Sequence, residues 1–525
     1  MKPTYYFLLV FLTGILLLGC TPQEAKIVSD SRSLPRATPE SQGISSEGLI
    51  QFLDAIESSG TEFHSLMILR HGQVVSEGWW SPFEKDYLHQ LYSLSKSFTS
   101  TAVGLAAQEG LLSLDDKVIK FFPDKMPNTY DPKLDQMTLR HLITMSTGHM
   151  GNTMDSLRQG ESEDWQAAFM TLAVGNEPGS VFKYNTAATY MLSSIVQKVS
   201  GNTVEDFLKP RLLEPLGIDK SDWMTDPHGV NVGGYGFRVN TEGIAKLGQL
   251  YLQKGNWKGQ QLLNEEWCID ATSKQVASSA SDGNFDGNND WSQGYGYQFW
   301  RNTVGGFRAD GAYGQFSIVL PEHDVVIAIT SQSMDMGNTM KLVWTNLLPA
   351  IASGTLPENP EKGNELRERL ENLVIKPETF EKSSSIASMI SGKTYEMESN
   401  DSGLTSVSFE IDRDIYTVSL EMENGENIKV NHGIHSWATK GNPRKNWNQV
   451  FPIPGRLAND SEIAGLVTWE NDNTLRAYWQ FYETCHGDQL TFRFDDDRIE
   501  IEFLNSLAKG GKVKETRASI WGSLQ

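Results

Sequence analysis

The sequence predicts an α/β (α+β) domain, one antiparallel sheet flanked by helices with an inserted helical region, followed by a separate all-β module. Three observations carry that prediction. Residues 64–69 (HSLMIL) and 73–80, joined by a turn at His71-Gly72, read as a hairpin, and residues 316–320 (FSIVL) and 325–330 (VVIAIT), joined at Glu322-His323-Asp324, read as a second. Between the two hairpins the apolar spacing is mostly helical, so both ends of the domain supply strands to one sheet. After residue 391 the period changes to two and stays there.

The chain opens on Lys2 and an apolar run, residues 5–18 (YYFLLVFLTGILLL), too short to span a bilayer comfortably and suited to a signal segment. Leu17-Leu18-Gly19-Cys20 resembles a bacterial lipobox, which implies removal of residues 1–19 and lipidation of Cys20; an ordinary signal peptide is the alternative. Residues 20–35 then form a polar tether, and the expected location is the cell envelope, lipid-anchored on the outer membrane or the periplasmic face.

Residues 36–356 form the first domain. Its helical patterns are residues 97–110, 139–144, 188–199, 205–213 and 244–253, and an apolar helix over 340–351 follows the second hairpin. A linker begins near Glu358-Asn359-Pro360 and carries a charged helix over 364–374, so 357–385 is read as the connection. The module 386–525 alternates over 405–411, turns at Asn424-Gly425 between 415–422 and 426–430, and continues in the pairs 466–470 with 475–482 and 490–494 with 498–503. A small barrel or a sandwich fits that pattern.

A net charge of −21 over 525 residues argues against nucleic-acid binding, which needs a basic face to neutralise phosphates. Cys268 and Cys485 make no disulfide framework and read as two structural thiols. No cofactor is implied, and a monomer is expected.

The chemistry is sought in residues 91–100, LYSLSKSFTS. Serine is a poor nucleophile until a neighbour takes its proton. Residues three apart on a helix share a face, so Lys96 can reach Ser93 if Ser93 opens a helix, and the small-residue run after it supports that start. A lysine acts as a base only when it is desolvated or held near another cation. An S-x-x-K occurs by chance about once or twice in such a chain. Ser506-Leu507-Ala508-Lys509 is a second match and reads as such a coincidence.

Landmarks downstream of Ser93 give the pair its context. Gly110-Leu111-Leu112-Ser113-Leu114-Asp115-Asp116, Thr138-Leu139-Arg140-His141-Leu142, Ser146-Thr147-Gly148, and Glu177-Pro178-Gly179-Ser180-Val181-Phe182-Lys183-Tyr184-Asn185-Thr186 follow in order. Over about residues 36–350 the chain resembles the serine beta-lactamase-like family of class C beta-lactamases, DD-peptidases and related esterases and amidases. The resemblance implies a beta-lactamase/transpeptidase-like fold and an acyl-enzyme on Ser93, with Lys96 and Tyr184 as bases and no metal. Thr186 replaces the family's usual Asn, and Asn185 is the residue that would compensate. In place of the family's K-T-G strand stands Ala309-Asp310-Gly311-Ala312-Tyr313-Gly314-Gln315, similar to the A-R-G-x-G-G-Q of hydrolases like 6-aminohexanoate-dimer hydrolase. The resemblance gives Ala312 and Ser93 the oxyanion-hole N–H groups, and adds Gly311, Gln315, Thr186 and Asn185 to the oxyanion and substrate-binding set.

Ala309 stands where a lysine or histidine would greet a beta-lactam carboxylate, which favours a small-molecule or peptide-like ester or amide substrate over a beta-lactam. Two alternatives remain: a penicillin-recognising DD-peptidase or beta-lactamase, and a catalytically silent binding lipoprotein. Arg308 reads as a solvated arginine, His141 as a packed histidine, and Tyr295 and Tyr297 as rim residues of an acyl pocket. Trp79-Trp80 reads equally as core or as a pocket wall. Residues 282–290 (DGNFDGNND) fit the first half of a calcium loop, but Gln293 takes the place of the closing Glu; a solvated active-site loop is the preferred reading, without metal.

Overall fold

The computed structural model describes residues 1, 32–159, 163–278, 289–378, 383–434, 436–452 and 460–525. The expected signal segment, Cys20 and most of the tether lie outside the described residues, as do positions 282–288 of the loop read for calcium. Among the described residues no helix is long and apolar enough to cross a membrane.

The first domain is built on a six-stranded antiparallel sheet. Its strands are β1 (Glu62–Arg70), β2 (Gln73–Trp79), β3 (Trp300–Arg301), β4 (Phe307–Gly311), β5 (Gln315–Leu320) and β6 (Val325–Gln332), in the spatial order β2-β1-β6-β5-β4-β3. The two predicted hairpins meet at its centre, where β1 pairs β6 with Leu66 opposite Ile329. Alternation sorts the side chains onto two apolar faces. Met67, Leu69, Val319 and Ala309 face the helical region, whereas Leu66, Ile68, Ile318 and Ile327 face helix α1 (Ser46–Ser59) and the segment after β6.

The helical region lies between β2 and β3. Its centre is α2 (Ser95–Gln108), in which every residue from Ser95 to Leu105 and then Ala106 is buried. A helix buried all round needs small side chains where neighbours approach, and the Thr99-Ser100-Thr101-Ala102 stretch supplies them. A Cβ on Gly104 would come within 2.5 Å of the Trp267 ring. Helices α3 (Thr186–Ser200) and α4 (Thr241–Leu252) pack around α2 and the sheet, and each is capped by an asparagine side chain, Asn185 and Asn240. Helix α5 (Pro360–Glu371) packs on α1 and β2.

The carboxy-terminal module is a closed nine-stranded barrel, β7 (Lys393–Met397), β8 (Leu404–Asp412), β9 (Ile415–Met422), β10 (Asn427–Gly433), β11 (Ile463–Asn471), β12 (Thr474–Phe481), β13 (Gly487–Asp495), β14 (Arg498–Asn505) and β15 (Ile520–Leu524). Closure pairs β7 with β15, and a single parallel pair, Gly433 opposite Leu466, joins β10 to β11. Inside, buried His432 lies 3.2 Å from the Tyr416 carbonyl through Nδ1, so that nitrogen donates and Nε2 accepts the Trp479 indole N–H at 2.8 Å. The barrel meets the first domain through an apolar cluster of Phe83, Trp437, Leu466, Tyr478 and Tyr482.

Burial pushes His432 down to about 4 from its ordinary 6.5. Between those values the unfolded chain binds a proton that the barrel refuses, so stability is full above pH 6.5 and falls as pH drops toward 4. At about 1.4 kcal/mol per unit the His432 contribution is about 3 kcal/mol. The barrel's tryptophan-monitored thermal transition is expected to fall between pH 7 and 4.5, and His432→Gln to flatten that dependence.

Candidate active site

The nucleophile candidate sits where the chain turns into α2. Residues Tyr92–Leu94 form a 3-10 turn and α2 begins at Ser95, so Ser93 precedes the helix rather than opening it. Tyr92 holds φ at +49°, a left-handed conformation that costs a non-glycine residue about 1–3 kcal/mol. The turn thereby aims partly exposed Ser93 into a cleft of about 230 Å³, whose wall includes Tyr92, Thr186, Tyr235, Ala312 and Tyr313.

Lys96 lies one turn below and is 1% exposed. Its Nζ is 2.7 Å from the Gly234 carbonyl, 3.0 Å from Ser93 Oγ and 3.3 Å from Thr186 Oγ1. Burial pushes this amine down to about 7, opposed by the Asp310 carboxylate. A neutral amine has two protons and one lone pair. The carbonyl and the Thr186 hydroxyl take the two protons, which turns the lone pair toward Ser93. A Cβ on Gly234 would sit 2.6 Å from Thr186 Cγ2, so only glycine lets this carbonyl come so close.

Tyr184 covers the lysine. Lys96 Nζ is 4.9 Å from the ring centroid, and the ring stacks on Trp300 at 5.7 Å and meets Tyr295 edge-on. Burial and the Asp310 carboxylate push the phenol far above its ordinary value, while its hydrogen bond with Ser93 pulls the other way. Of the two expected bases, Tyr184 therefore presents a protonated hydroxyl to Ser93, and the group poised to lose its proton near neutrality is Lys96.

Burial and hydrogen bonding bear on several other expectations. Asn185 is fully buried and caps α3, its Oδ1 accepting from Thr153 N and Oγ1 and from Ala187 N, so it does not compensate for Thr186 in the cleft. Gln315 is fully buried and donates to the Ala312 and Ser331 carbonyls, which shapes the turn instead of contacting substrate. At Gly311 an added Cβ would strike the Leu91 carbonyl at 2.0 Å, so this glycine lets β4 lie close against the nucleophile turn. Tyr295 and Tyr297 are 1% and 2% exposed and form core, not rim. Trp79 and Trp80 lie outside the Ser93 cleft. His141 is half-buried, with Nδ1 accepting the Thr138 N–H at the start of its helix. Ser506 accepts the Gly487 N–H within the barrel, and Ser506-Lys509 is not part of the cleft.

Arg308 is not solvated. It is fully buried, donates through Nε to Asp310 Oδ2 at 3.0 Å and through Nη1 to the carbonyls of Asp290 and Arg301 and to Asn302 Oδ1. Asp310 also accepts the Trp291 indole N–H at 3.1 Å. This buried pair was missed, and no local pattern signals it. Asp290, the last residue of the loop read for calcium, is tied to Thr303 and to the Trp344 indole. Among the described residues no cluster of His, Cys, Asp or Glu could hold a metal ion. Asn152, Asp155, Arg158 and Tyr235 also border the cleft. The glycine cluster around Tyr235, Gly233-Gly234 and Gly236, is the signal that could have found that wall.

The chain is 24% identical over 287 residues to 6-aminohexanoate-dimer hydrolase of Paenarthrobacter ureafaciens, covering 52% of this chain and 73% of the relative. It is 25% identical over 309 residues to penicillin-binding protein 4 of Amycolatopsis lactamdurans, covering 52% and 79%. Further curated relatives are matched over 26% to 64% of their length. Among solved structures, the octameric penicillin-binding protein homologue of Pyrococcus abyssi aligns with a TM-score of 0.46 at 18% identity, over 90% of this chain and 99% of that one. The Beta-lactamase family model matches residues 56–350, more than half of the chain, and the chain belongs to that family.

Proposed function

We propose that the protein is a serine hydrolase that opens an ester or amide of a small-molecule or peptide-like substrate through an acyl-enzyme on Ser93. The observation that carries this reading is the buried Lys96 amine, with acceptors for both of its protons and its lone pair turned toward Ser93 Oγ. In acylation the Ser93 proton passes to Lys96 as Oγ bonds the carbonyl carbon. The N–H groups of Ser93 and Ala312 hold the oxyanion. The Tyr184 hydroxyl then gives its proton to the leaving group and takes one from Lys96, so the phenol is restored as the scissile bond breaks. Water repeats the sequence in reverse to release the acid.

The strand beside the cleft favours this over a beta-lactam substrate. Ala309 offers no cation to a substrate carboxylate. The lipobox-like Leu17-Leu18-Gly19-Cys20 supports lipid anchoring in the bacterial envelope. Growth with labelled palmitate is expected to label the parent and not Cys20→Ala.

Intact mass after brief exposure to a p-nitrophenyl ester or a fluorophosphonate is expected to show one adduct on residues 21–525 and none on Ser93→Ala. An unmodified parent across several acyl sizes would contradict the hydrolase reading. Because the base form of Lys96 lies above about pH 7, kcat/KM is expected to rise through that pH to a plateau. Lys96→Arg, which cannot deprotonate, is expected to lose about 1000-fold. Asp310→Asn removes the carboxylate that holds the Lys96 value up, so its acid limb is expected to move to lower pH. The same change leaves buried Arg308 without its counter-charge and is expected to cost about 3–5 kcal/mol in a denaturation experiment.

A further inference from the structure

The hairpin loop between β12 and β13 of the barrel reaches into the first domain beside Ser93. Tyr482 stacks on Tyr87 at 4.6 Å, the Glu483 carbonyl accepts the Gln90 N–H at 3.0 Å, and the Glu483 carboxylate lies 3.7 Å from Arg238. His486, which is fully buried, then meets Tyr92, with Nε2 2.6 Å from the tyrosine hydroxyl. Its ring also packs edge-on against Tyr313 at 4.9 Å.

The tautomer follows from its neighbours. Gln332 is satisfied when its amide nitrogen donates to the Cys485 carbonyl at 2.9 Å and its oxygen accepts from Ser506 Oγ at 2.5 Å. That oxygen then faces His486 Nδ1 at 3.4 Å, so Nδ1 carries the proton and Nε2 accepts the Tyr92 hydroxyl.

Tyr92 and Tyr313 are not ordinary wall residues. Both hold left-handed backbone, at φ of +49° and +66°, and they flank the two residues assigned to the oxyanion hole, Ser93 and Ala312. The Tyr92–Ser93 peptide carries the Ser93 N–H, so the ψ of Tyr92 aims that donor. A left-handed residue keeps such an angle only when its surroundings hold it there.

We infer that His486 of the barrel is a positioning residue for the oxyanion hole, holding Tyr92 by its hydroxyl while packing on Tyr313, so that the Ser93 N–H keeps its aim. The barrel thus completes the active site of the first domain. This inference rests on the hydrolase reading, and it concerns donors that matter most in the transition state, so its signature is in kcat rather than KM.

The test is steady-state kinetics on a p-nitrophenyl ester with the full soluble chain, residues 21–525, normalised to folded protein by circular dichroism and thermal melting. His486→Phe keeps a ring against Tyr313 but removes the acceptor. It is expected to lower kcat about 30-fold, less than deletion of an oxyanion donor, with KM within about twofold. His486→Gln, which restores an acceptor, is expected to stay within about threefold of the parent. Tyr92→Phe removes the same bond from the other side, and the double variant is expected to lose no more than either single one. The inference is overturned if folded His486→Phe keeps kcat within about twofold, if His486→Gln loses as much as His486→Phe, or if the double variant's losses multiply. A parent that never acylates takes down the hydrolase reading and this inference with it; an active parent with unaffected variants takes down this inference alone.

Discussion

The site depends on one constraint, a lysine amine kept dry beneath a serine. Lys96 is surrounded by α2, the Tyr184 ring, Thr186 and the Gly234 carbonyl, and among the described residues no carboxylate hydrogen-bonds it directly. Removing water from an ammonium without supplying a counter-ion favours the neutral amine, and burial is the leading cause of its low value. The features around it serve that dryness. The buried helix excludes solvent from below, and the aromatic group of Tyr184, Tyr295 and Trp300 closes the side.

Asp310 tempers this arrangement. Its carboxylate is buried near enough to oppose the fall of the Lys96 value, but its Oδ2 is engaged by Arg308 and the Trp291 indole. A carboxylate freer to pair with the lysine would hold it charged and useless as a base. Arg308, in turn, donates through Nε to Asp310 and through Nη1 to nearby carbonyls. The pair therefore sets a local field, and the strand that carries it also carries Gly311 up against the nucleophile turn.

Much of this was legible in the chain because it is local or periodic. The two hairpins, the helical insert and the β-rich module follow from apolar spacing, and the i, i+3 relation brings Ser93 and Lys96 within 3.0 Å although a 3-10 turn, not an α-helix, holds the serine. What stayed hidden depends on burial or on distant partners. Arg308 looks like a surface residue until the strand on both sides of it is packed, and Asn185 looks like a site residue until it is seen capping α3. Tyr184 has the right place but, in a dry setting, the opposite electrostatic tendency from the one expected of a base. His486 lies 394 residues from Tyr92 in the chain, so no spacing rule connects them.

The central claim is that Lys96 is a neutral amine near physiological pH, and the most direct measurement is its own titration. In protein carrying 13C-labelled lysine, the Lys96 Cε resonance, assigned by its absence in Lys96→Arg, can be followed against pH in the free protein. The account predicts a single transition near pH 7, well apart from the surface lysines. A Lys96 resonance that stays in its ammonium position until pH 10 or above, the ordinary lysine range, would contradict it.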